Sequence, residues 1–192
     1  NRSPDHVTQG RLPHFGYLVQ NRWDGRRPYI ENPQWIDPIG GLVGNMDIAI
    51  GTVIENATSG SGNDTIRAGD GNNTVSAGGG NDNVRTGSGN DYVNAGNGNN
   101  TVRTGAGNDR VYTAEGNDRI DTGAGDDAVY AGHGRNNITT GDGNDYVNAG
   151  NDADRINTGD GDDRTYAGHG NNRLDTVVGA DFGAADEGKN PG

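Results

Sequence analysis

A nine-residue repeat runs from residue 60 to residue 176 in thirteen consecutive blocks, without insertion or deletion. The blocks follow the pattern G-x-G-[ND]-[DN]-x-[VI]-x-[AT], as in GSGNDYVNA (87–95) and GDGNDYVNA (141–149). A repeat this short cannot bury a core alone, so successive copies must stack into a solenoid. The repeat therefore constrains the fold more than any other feature of the sequence.

The order of residues within a block predicts one turn followed by one short strand. The two glycines permit a positive φ and close approach of neighbouring backbones, and the polar fourth and fifth residues complete the turn. An x-Val-x segment follows, whose apolar residue points inward because strand side chains alternate between two faces. Two successive blocks then close one coil, so equivalent residues of neighbouring coils stand 18 positions apart in the sequence.

The ninth residue of the block supports this coil, because it changes with a period of two blocks. With blocks numbered from residue 60, it is usually Thr in odd-numbered blocks, as at Thr104 and Thr122. It is usually Ala in even-numbered blocks, as at Ala95 and Ala131. We therefore predict an all-β fold, a parallel β-roll (β-solenoid) with two nonapeptide repeats per coil and an N-terminal cap.

The bulky apolar residues, including Trp23 and Trp35, concentrate before the repeats. A solenoid needs a cap over its first coil, so we interpret residues 1–58 as an N-terminal cap and lead-in. Residues 59–181 then form the roll and residues 182–192 a C-terminal tail.

Composition shows what the repeats lack. Only 29% of the residues are hydrophobic, 36 are glycine, and the formal net charge is −12. A thin core with this much negative charge needs a counter-charge to fold. The charge argues against nucleic acid as a partner, the absence of cysteine excludes thiolate metal sites, and no apolar run is long enough for a transmembrane helix.

The fifth residue of each block supplies the candidate metal ligands, since it is Asp in nine blocks and Asn in four. Stacked coils bring together residues 18 apart, so carboxylates such as Asp91 and Asp109 repel each other unless a cation lies between them. Ca²⁺ takes about six to eight hard oxygen ligands from carboxylates and carbonyls, whereas Mg²⁺ needs a tighter octahedron. The alternative, that Asp and Asn are only turn formers, does not explain acids stacked from coil to coil. We predict several bound Ca²⁺ ions.

The blocks resemble the RTX (repeats-in-toxin) family, whose nonapeptide G-G-x-G-x-D-x-U-x matches residues 87–94 (GSGNDYVN). Ala or Thr replaces the family's first glycine throughout. The segment IGGLVGNMDIAIGTVIENATSGSGND (39–64) is similar to the lead-in of the β-roll in serralysin-type secreted metalloproteases. The resemblance implies a right-handed roll, an extracellular location reached by bacterial type I export, and Ca²⁺ held between adjacent turns.

By position, the resemblance assigns the calcium ligands. The carboxylate ligands are Asp64, Asp82, Asp91, Asp109, Asp118, Asp127, Asp145, Asp154, Asp163 and Asp181. The turn backbone contributes at Gly87, Gly89, Gly105, Gly107, Gly123, Gly125, Gly141, Gly143, Gly159 and Gly161. Weaker ligands are expected at Asn73, Asn100, Asn136 and Asn172.

The two rows of turns differ in sequence. The even row, which opens the even-numbered blocks, keeps both glycines in every block. The odd row, which opens the odd-numbered blocks, has Ala114 and Asp152 in place of glycine and carries three of the four asparagines. We therefore predict stronger Ca²⁺ binding along the even row.

The outward strand positions also differ between the two sheets. Arginines such as Arg67, Arg85 and Arg103 crowd the odd-numbered blocks. The even-numbered blocks carry a predicted partner-binding face of Tyr92, Tyr112, Tyr130, Tyr146, Tyr166, Arg110 and Arg164. An exposed aromatic strip suits a polysaccharide or a second copy of the chain; the alternative is that the tyrosines are simple strand formers.

No catalytic constellation is evident, so the chain is not predicted to be an enzyme. Its four histidines lie outside any HExxH motif, and no Ser-His-Asp or Cys-His arrangement suggests itself. The favoured function is an extracellular, calcium-folded structural or binding module. The first alternative is the C-terminal part of a serralysin-like zinc metalloprotease whose catalytic domain lies upstream in a longer parent, and the second is an ice-binding or adhesive rod.

Overall fold

The computed structural model of the protein describes residues 21–22, 29–30 and 56–185. Most of the predicted cap and the last seven residues of the predicted tail lie outside the described residues. Within the cap region, strand β1 (Asn21–Arg22) pairs antiparallel with β2 (Tyr29–Ile30).

Between residues 56 and 185 the chain alternates short strands with tight turns. The strands are β3 (Asn56–Thr58), β4 (Thr65–Arg67), β5 (Thr74–Ser76), β6 (Asn83–Arg85), β7 (Tyr92–Gly96), β8 (Thr101–Ala106), β9 (Arg110–Thr113), β10 (Arg119–Ala124), β11 (Ala128–Tyr130), β12 (Asn137–Asp142), β13 (Tyr146–Asn148), β14 (Arg155–Asp160), β15 (Arg164–Gly168), β16 (Arg173–Val178) and β17 (Phe182–Ala185). The stack therefore begins three residues before position 59 and ends four residues after position 181.

Alternate strands enter alternate parallel sheets. The strands of the odd-numbered blocks form one sheet, named here the odd sheet, in the order β4-β6-β8-β10-β12-β14-β16. The strands of the even-numbered blocks form the even sheet, together with β3 before the first block and β17 after the last, in the order β3-β5-β7-β9-β11-β13-β15-β17. Each strand pairs with the strand one coil along, so that Val93 lies beside Val111 and Val111 beside Val129. The predicted parallel β-roll, with two nonapeptide repeats per coil, is confirmed.

The core is one row of apolar side chains from each sheet. Val84, Val102 and Ile120 of the odd sheet face inward at 0–1% exposure, as do Val93 and Val111 of the even sheet. Each coil thus buries at most two sizeable apolar side chains, and Thr165 takes one of these inward positions. At about 25 cal/mol per Å² this burial is a small stabilisation for a whole coil. The roll therefore depends on its polar contacts more than an ordinary domain does.

The ninth-position threonines contribute one of these contacts. The buried hydroxyl of Thr104 donates to the carbonyl oxygen of Thr122 at 3.1 Å, and that of Thr122 donates to the carbonyl oxygen of Thr140 at 3.3 Å. A hydroxyl that bonds the next coil is satisfied without leaving the core. The same bond forms where Thr stands on the Ala side, from Thr113 to the carbonyl oxygen of Ala131 at 2.7 Å, so the ladder accounts for buried Thr on either side of the coil.

The third-position glycines are required by both conformation and space. Gly107 has φ = 124°, and a Cβ there would overlap the carbonyl oxygen of Gly89 in the preceding coil. Among the described residues Asp152 is the one non-glycine with positive φ, at 86°. It occupies a third position in the odd row, where an L-residue in this region is strained.

We predict that Gly107→Ala destabilises the roll by about 1–3 kcal/mol, since it adds both backbone strain and an overlap between coils. Thermal unfolding of the calcium-loaded protein measures this loss. The matched control is Gly79→Ala, because a Cβ at Gly79 meets nothing within 4 Å and its φ is not positive. Equal melting temperatures for the two variants would contradict the assignment.

Candidate calcium-binding turns

The fifth-position side chains form an inner ladder inside the two rows of turns. The backbone N–H of Asp91 donates to Oδ1 of Asp109 at 2.8 Å, and that of Asp109 donates to Oδ1 of Asp127 at the same distance. The odd row repeats this bond from Asp64 to Asp82 at 2.8 Å. These carboxylates are 2–4% exposed, so the turns bury charge inside the roll.

One oxygen of each carboxylate lacks a partner. Within the described residues, Oδ2 is buried and makes no hydrogen bond in every fifth-position aspartate: Asp64, Asp82, Asp91, Asp109, Asp118, Asp127, Asp145, Asp154 and Asp163. A buried, unpartnered carboxylate oxygen costs several kcal/mol unless a cation or a donor reaches it.

The asparagine blocks show what surrounds this second oxygen. Oδ1 of Asn100 accepts the N–H of Asp82 at 2.9 Å, the same ladder bond that an aspartate makes. The other atom, Nδ2, donates to the carbonyl oxygens of Gly96 and Gly98, both at 3.1 Å. In an aspartate block the corresponding atom is Oδ2, so a carboxylate oxygen there faces the carbonyl oxygens of its own turn.

This arrangement fits a hard divalent cation. Each pair of stacked turns offers carboxylate oxygens and turn carbonyls, the ligand chemistry that Ca²⁺ prefers. No group of three or more His, Cys, Asp or Glu side chains converges in the described part of the chain. Backbone carbonyls must therefore supply much of the coordination, as the paired glycines of each turn allow.

Burial changes the acidity of these carboxyl groups. Desolvation raises the pKa of Asp127 and Asp154 to about 7 and that of Asp145 to about 6. At Asp127 the Thr122 hydroxyl and the ladder N–H oppose this rise, whereas the neighbouring carboxylates add to it. The pKa values of Asp82 and Asp109 are also raised, chiefly by desolvation. Without a bound cation, Asp127, Asp145 and Asp154 therefore favour the protonated form below about pH 6–7.

The end of the even row includes the predicted ligand beyond the last block. Asp181 is half-buried, and its Oδ1 accepts the N–H of Asp163 at 3.3 Å. The inner ladder of the even row thus runs from Asn73 to Asp181. The structure brings the predicted acidic residues into two continuous rows, whereas their coordination of Ca²⁺ stays a prediction.

A second, outer ladder was missed by the sequence interpretation. Oδ1 of the fourth-position Asn90 accepts the N–H of Asn108 at 2.8 Å, and Oδ1 of Asn99 accepts the N–H of Asn117 at 2.7 Å. In this exposed outer ladder each side-chain oxygen accepts an N–H of the following coil, whereas in the inner ladder it accepts an N–H of the preceding coil. The only sequence signal is the recurrence of Asn or Asp at the fourth position, which turn chemistry alone also explains.

The five tyrosines lie on the outer face of the even sheet and stack on one another. The ring centroids of Tyr112 and Tyr130 are 4.8 Å apart with planes 3° from parallel. The other neighbouring pairs are tilted, with centroids 5.5–5.7 Å apart. The guanidinium of Arg164 lies 5.1 Å from the ring centroid of Tyr166, and Arg110 stands beside Tyr92 in the sheet register.

We predict that acid stabilises the metal-free roll. A carboxyl group whose folded pKa is about 6–7 and whose unfolded pKa is about 3.9 favours folding at low pH. This contribution is fully present below about pH 4 and is lost as the pH rises through 6–7. Circular dichroism of the metal-free protein should show more β structure at pH 5.5 than at pH 8.

In saturating Ca²⁺ the order should reverse, because protons then compete with the ion for the same oxygens. A metal-free protein with less β structure at pH 5.5 than at pH 8 would contradict the proposed environment of the carboxylates.

The model of the RTX calcium-binding nonapeptide repeat (4 copies) matches the chain in six overlapping segments: residues 58–93, 86–120, 94–129, 130–165, 139–174 and 148–182. Together the segments span 58–182, well over half of the 192 residues. No curated protein and no solved structure matches the chain, so the resemblance to serralysins stays a prediction. The stacked glycine turns, the buried aspartate rows and the family match lead to one conclusion: the chain belongs to the RTX calcium-binding repeat family, whose nonapeptide repeats bind multiple Ca²⁺ ions.

Proposed function

We propose that this chain is an extracellular module that folds when Ca²⁺ binds and then serves as a structural or binding domain. The observation that carries the proposal is the row of buried Oδ2 atoms that have no partner. Such a row is unfavourable in the ion-free fold and is resolved by a divalent cation. No helix in the described residues is long and apolar enough to cross a membrane.

The proposed ligands are the ten aspartates and the turn carbonyls of the paired glycines. A bound Ca²⁺ supplies positive charge and coordinates oxygens from two adjacent turns. The chain's own residues position the oxygens. The inner ladder holds Oδ1, the carbonyls of the turn glycines face the fifth-position side chain, as at Gly96 and Gly98, and Oδ2 is left available. In the even row, five adjacent pairs from Asp91 to Asp181 each offer two carboxylates.

The extracellular location follows from the same energetics and from membership of a family typically exported by bacterial type I systems. Calcium sites in extracellular modules are commonly tuned to Kd values of about 10⁻⁴–10⁻³ M. A roll that needs such concentrations stays unfolded before export and folds outside the cell. Because the roll folds only outside the cell, Ca²⁺ favours its export over its return.

We predict that the chain is largely unfolded in excess chelator and gains β structure cooperatively when Ca²⁺ is added, because ion binding supplies much of the folding free energy. Circular dichroism during a Ca²⁺ titration measures the transition. Mg²⁺ at equal concentration is the control and should be much less effective, since it requires a tighter octahedron. A native-like β spectrum in chelator at low salt would refute the proposal.

The tyrosine face is a second candidate site, for a polysaccharide or another copy of the chain. The exposed ends of the strip support binding, since Tyr92 is 41% exposed and Phe182, below the Arg164 guanidinium, is 57% exposed. The stacking of Tyr112 on Tyr130 supports the alternative, because rings that cover one another act as strand-stabilising pairs.

Replacing Tyr112, Tyr130 and Tyr166 with Ser separates these roles. A binding face predicts unchanged Ca²⁺-induced folding together with loss of self-association in sedimentation and of retention on a polysaccharide column. A structural ladder predicts the opposite pattern: a lower melting temperature with binding that matches the parent.

The remaining alternatives stay predictions. A serralysin-like parent rests on the lead-in at 39–64, most of which lies outside the described residues. An adhesive or ice-binding rod would be favoured by flat rows of identical small polar residues. The second turn position instead mixes Ser61, Asp70, Glu115 and His133, which favours the calcium-folded module.

A further inference from the structure

The four fifth-position asparagines use their amide nitrogens in a way that no aspartate can match. Nδ2 of Asn73 donates to the carbonyl oxygens of Gly69 at 3.0 Å and Gly71 at 2.7 Å, in the same manner as Asn100. Nδ2 of Asn172 donates to the carbonyl oxygens of Ala167 at 3.0 Å and Gly168 at 3.2 Å.

Asn136 makes a variant of the same contact. Its Nδ2 donates to the carbonyl oxygen of Ala149 at 3.3 Å, and Ala149 precedes the next turn of the same row. In each case the amide nitrogen bonds carbonyl oxygens that border a turn of the row. Carbonyl oxygens of this kind are ligands that Ca²⁺ accepts.

We propose that these asparagines are built-in substitutes for the ion: each closes a turn of its row to Ca²⁺ and holds it together without metal. The inference rests on the proposed function, in which aspartate turns take Ca²⁺. In the odd row a neutral amide satisfies both requirements of the position, since Oδ1 of Asn100, Asn136 and Asn172 accepts the ladder N–H and Nδ2 supplies donors to the carbonyls. No buried charge then remains to be neutralised.

The spacing of the asparagines gives the rod two different edges. In the odd row, Asn100, Asn136 and Asn172 alternate with aspartates, so that among the described coils only Asp64 and Asp82 are adjacent carboxylates. In the even row the single asparagine, at 73, stands at the beginning. Three of the seven turns on the odd edge are therefore held by side-chain amides, whereas nearly every turn of the even edge depends on Ca²⁺.

This asymmetry deepens the role of calcium in the fold. The asparagine turns need no ion, so they hold parts of the odd edge in register without metal, and the aspartate turns of both edges close when Ca²⁺ arrives. A roll with carboxylates at every turn would have to assemble both edges at once. The asparagines thus lower the number of ions that folding requires.

The test converts even-row aspartates to asparagine and measures folding without metal. The triple variant D109N/D127N/D145N should show clearly more β structure than the wild type in excess chelator. In a Ca²⁺ titration, folding of that segment should no longer follow Ca²⁺ binding. The matched control is D126N/D142N/D162N, which removes the same three charges from exposed positions. The control should stay as dependent on Ca²⁺ as the wild type.

Two outcomes overturn the inference. If test and control gain metal-free structure equally, simple relief of charge repulsion explains the effect. If neither gains structure, the amide does not replace the ion. Both outcomes are read in chelator, so they are distinct from failure of the proposed function, in which the wild type does not respond to added Ca²⁺.

The reverse substitution gives a second readout. N100D/N136D should bind more Ca²⁺ ions per chain than the wild type in native mass spectrometry, because two closed turns are opened. The matched control is N99D/N117D, at exposed outer-ladder positions where Oδ1 keeps the N–H that it accepts from the following coil; it should bind the wild-type number. An N100D/N136D variant that binds no additional ions would count against the inference.

Discussion

In-register stacking of coils places each residue directly beside its equivalent in the next coil, at about 4.8 Å. Any side chain that recurs once per coil therefore meets copies of itself. For Val the result is a continuous apolar row, and for Thr a ladder of hydroxyl bonds. For Asp it is repulsion between carboxylates, so the same geometry that builds the core creates the demand for a cation.

The apolar core cannot meet this demand alone. Two apolar side chains per coil oppose the conformational entropy of the whole coil, which is about 1–2 kcal/mol for the backbone of each residue. Hydrogen-bonded ladders run along the turns on the inside and the outside, and they tie each coil to both neighbours. What they leave unsatisfied is the second carboxylate oxygen of each fifth-position aspartate, and in the proposed function that is where metal binding is coupled to folding.

Function in this chain therefore belongs to the rows and not to any single residue. Asp109 and Asp127 make equivalent hydrogen bonds to the coils on either side and are equally buried. Each therefore contributes to the space between turns on both of its sides. Asn100 interrupts such a row with a neutral group of the same shape. On our proposal, the difference between one oxygen and one NH₂ decides whether a turn needs an ion or supplies its own donors.

The sequence by itself determined the solenoid, the coil of two blocks, the inward apolar residues and the acidic rows. These follow from local periodicity, since glycine conformations, strand alternation and the spacing of charges are all visible in one block and its copies. Only the tertiary structure decided that Oδ1 is bonded whereas Oδ2 is not. It also decided that Asn90 belongs to an outer ladder running opposite to the inner one, and that Tyr112 and Tyr130 cover each other. Each of these facts is a contact between equivalent positions of adjacent coils, and its direction is fixed only when neighbouring coils are held in register.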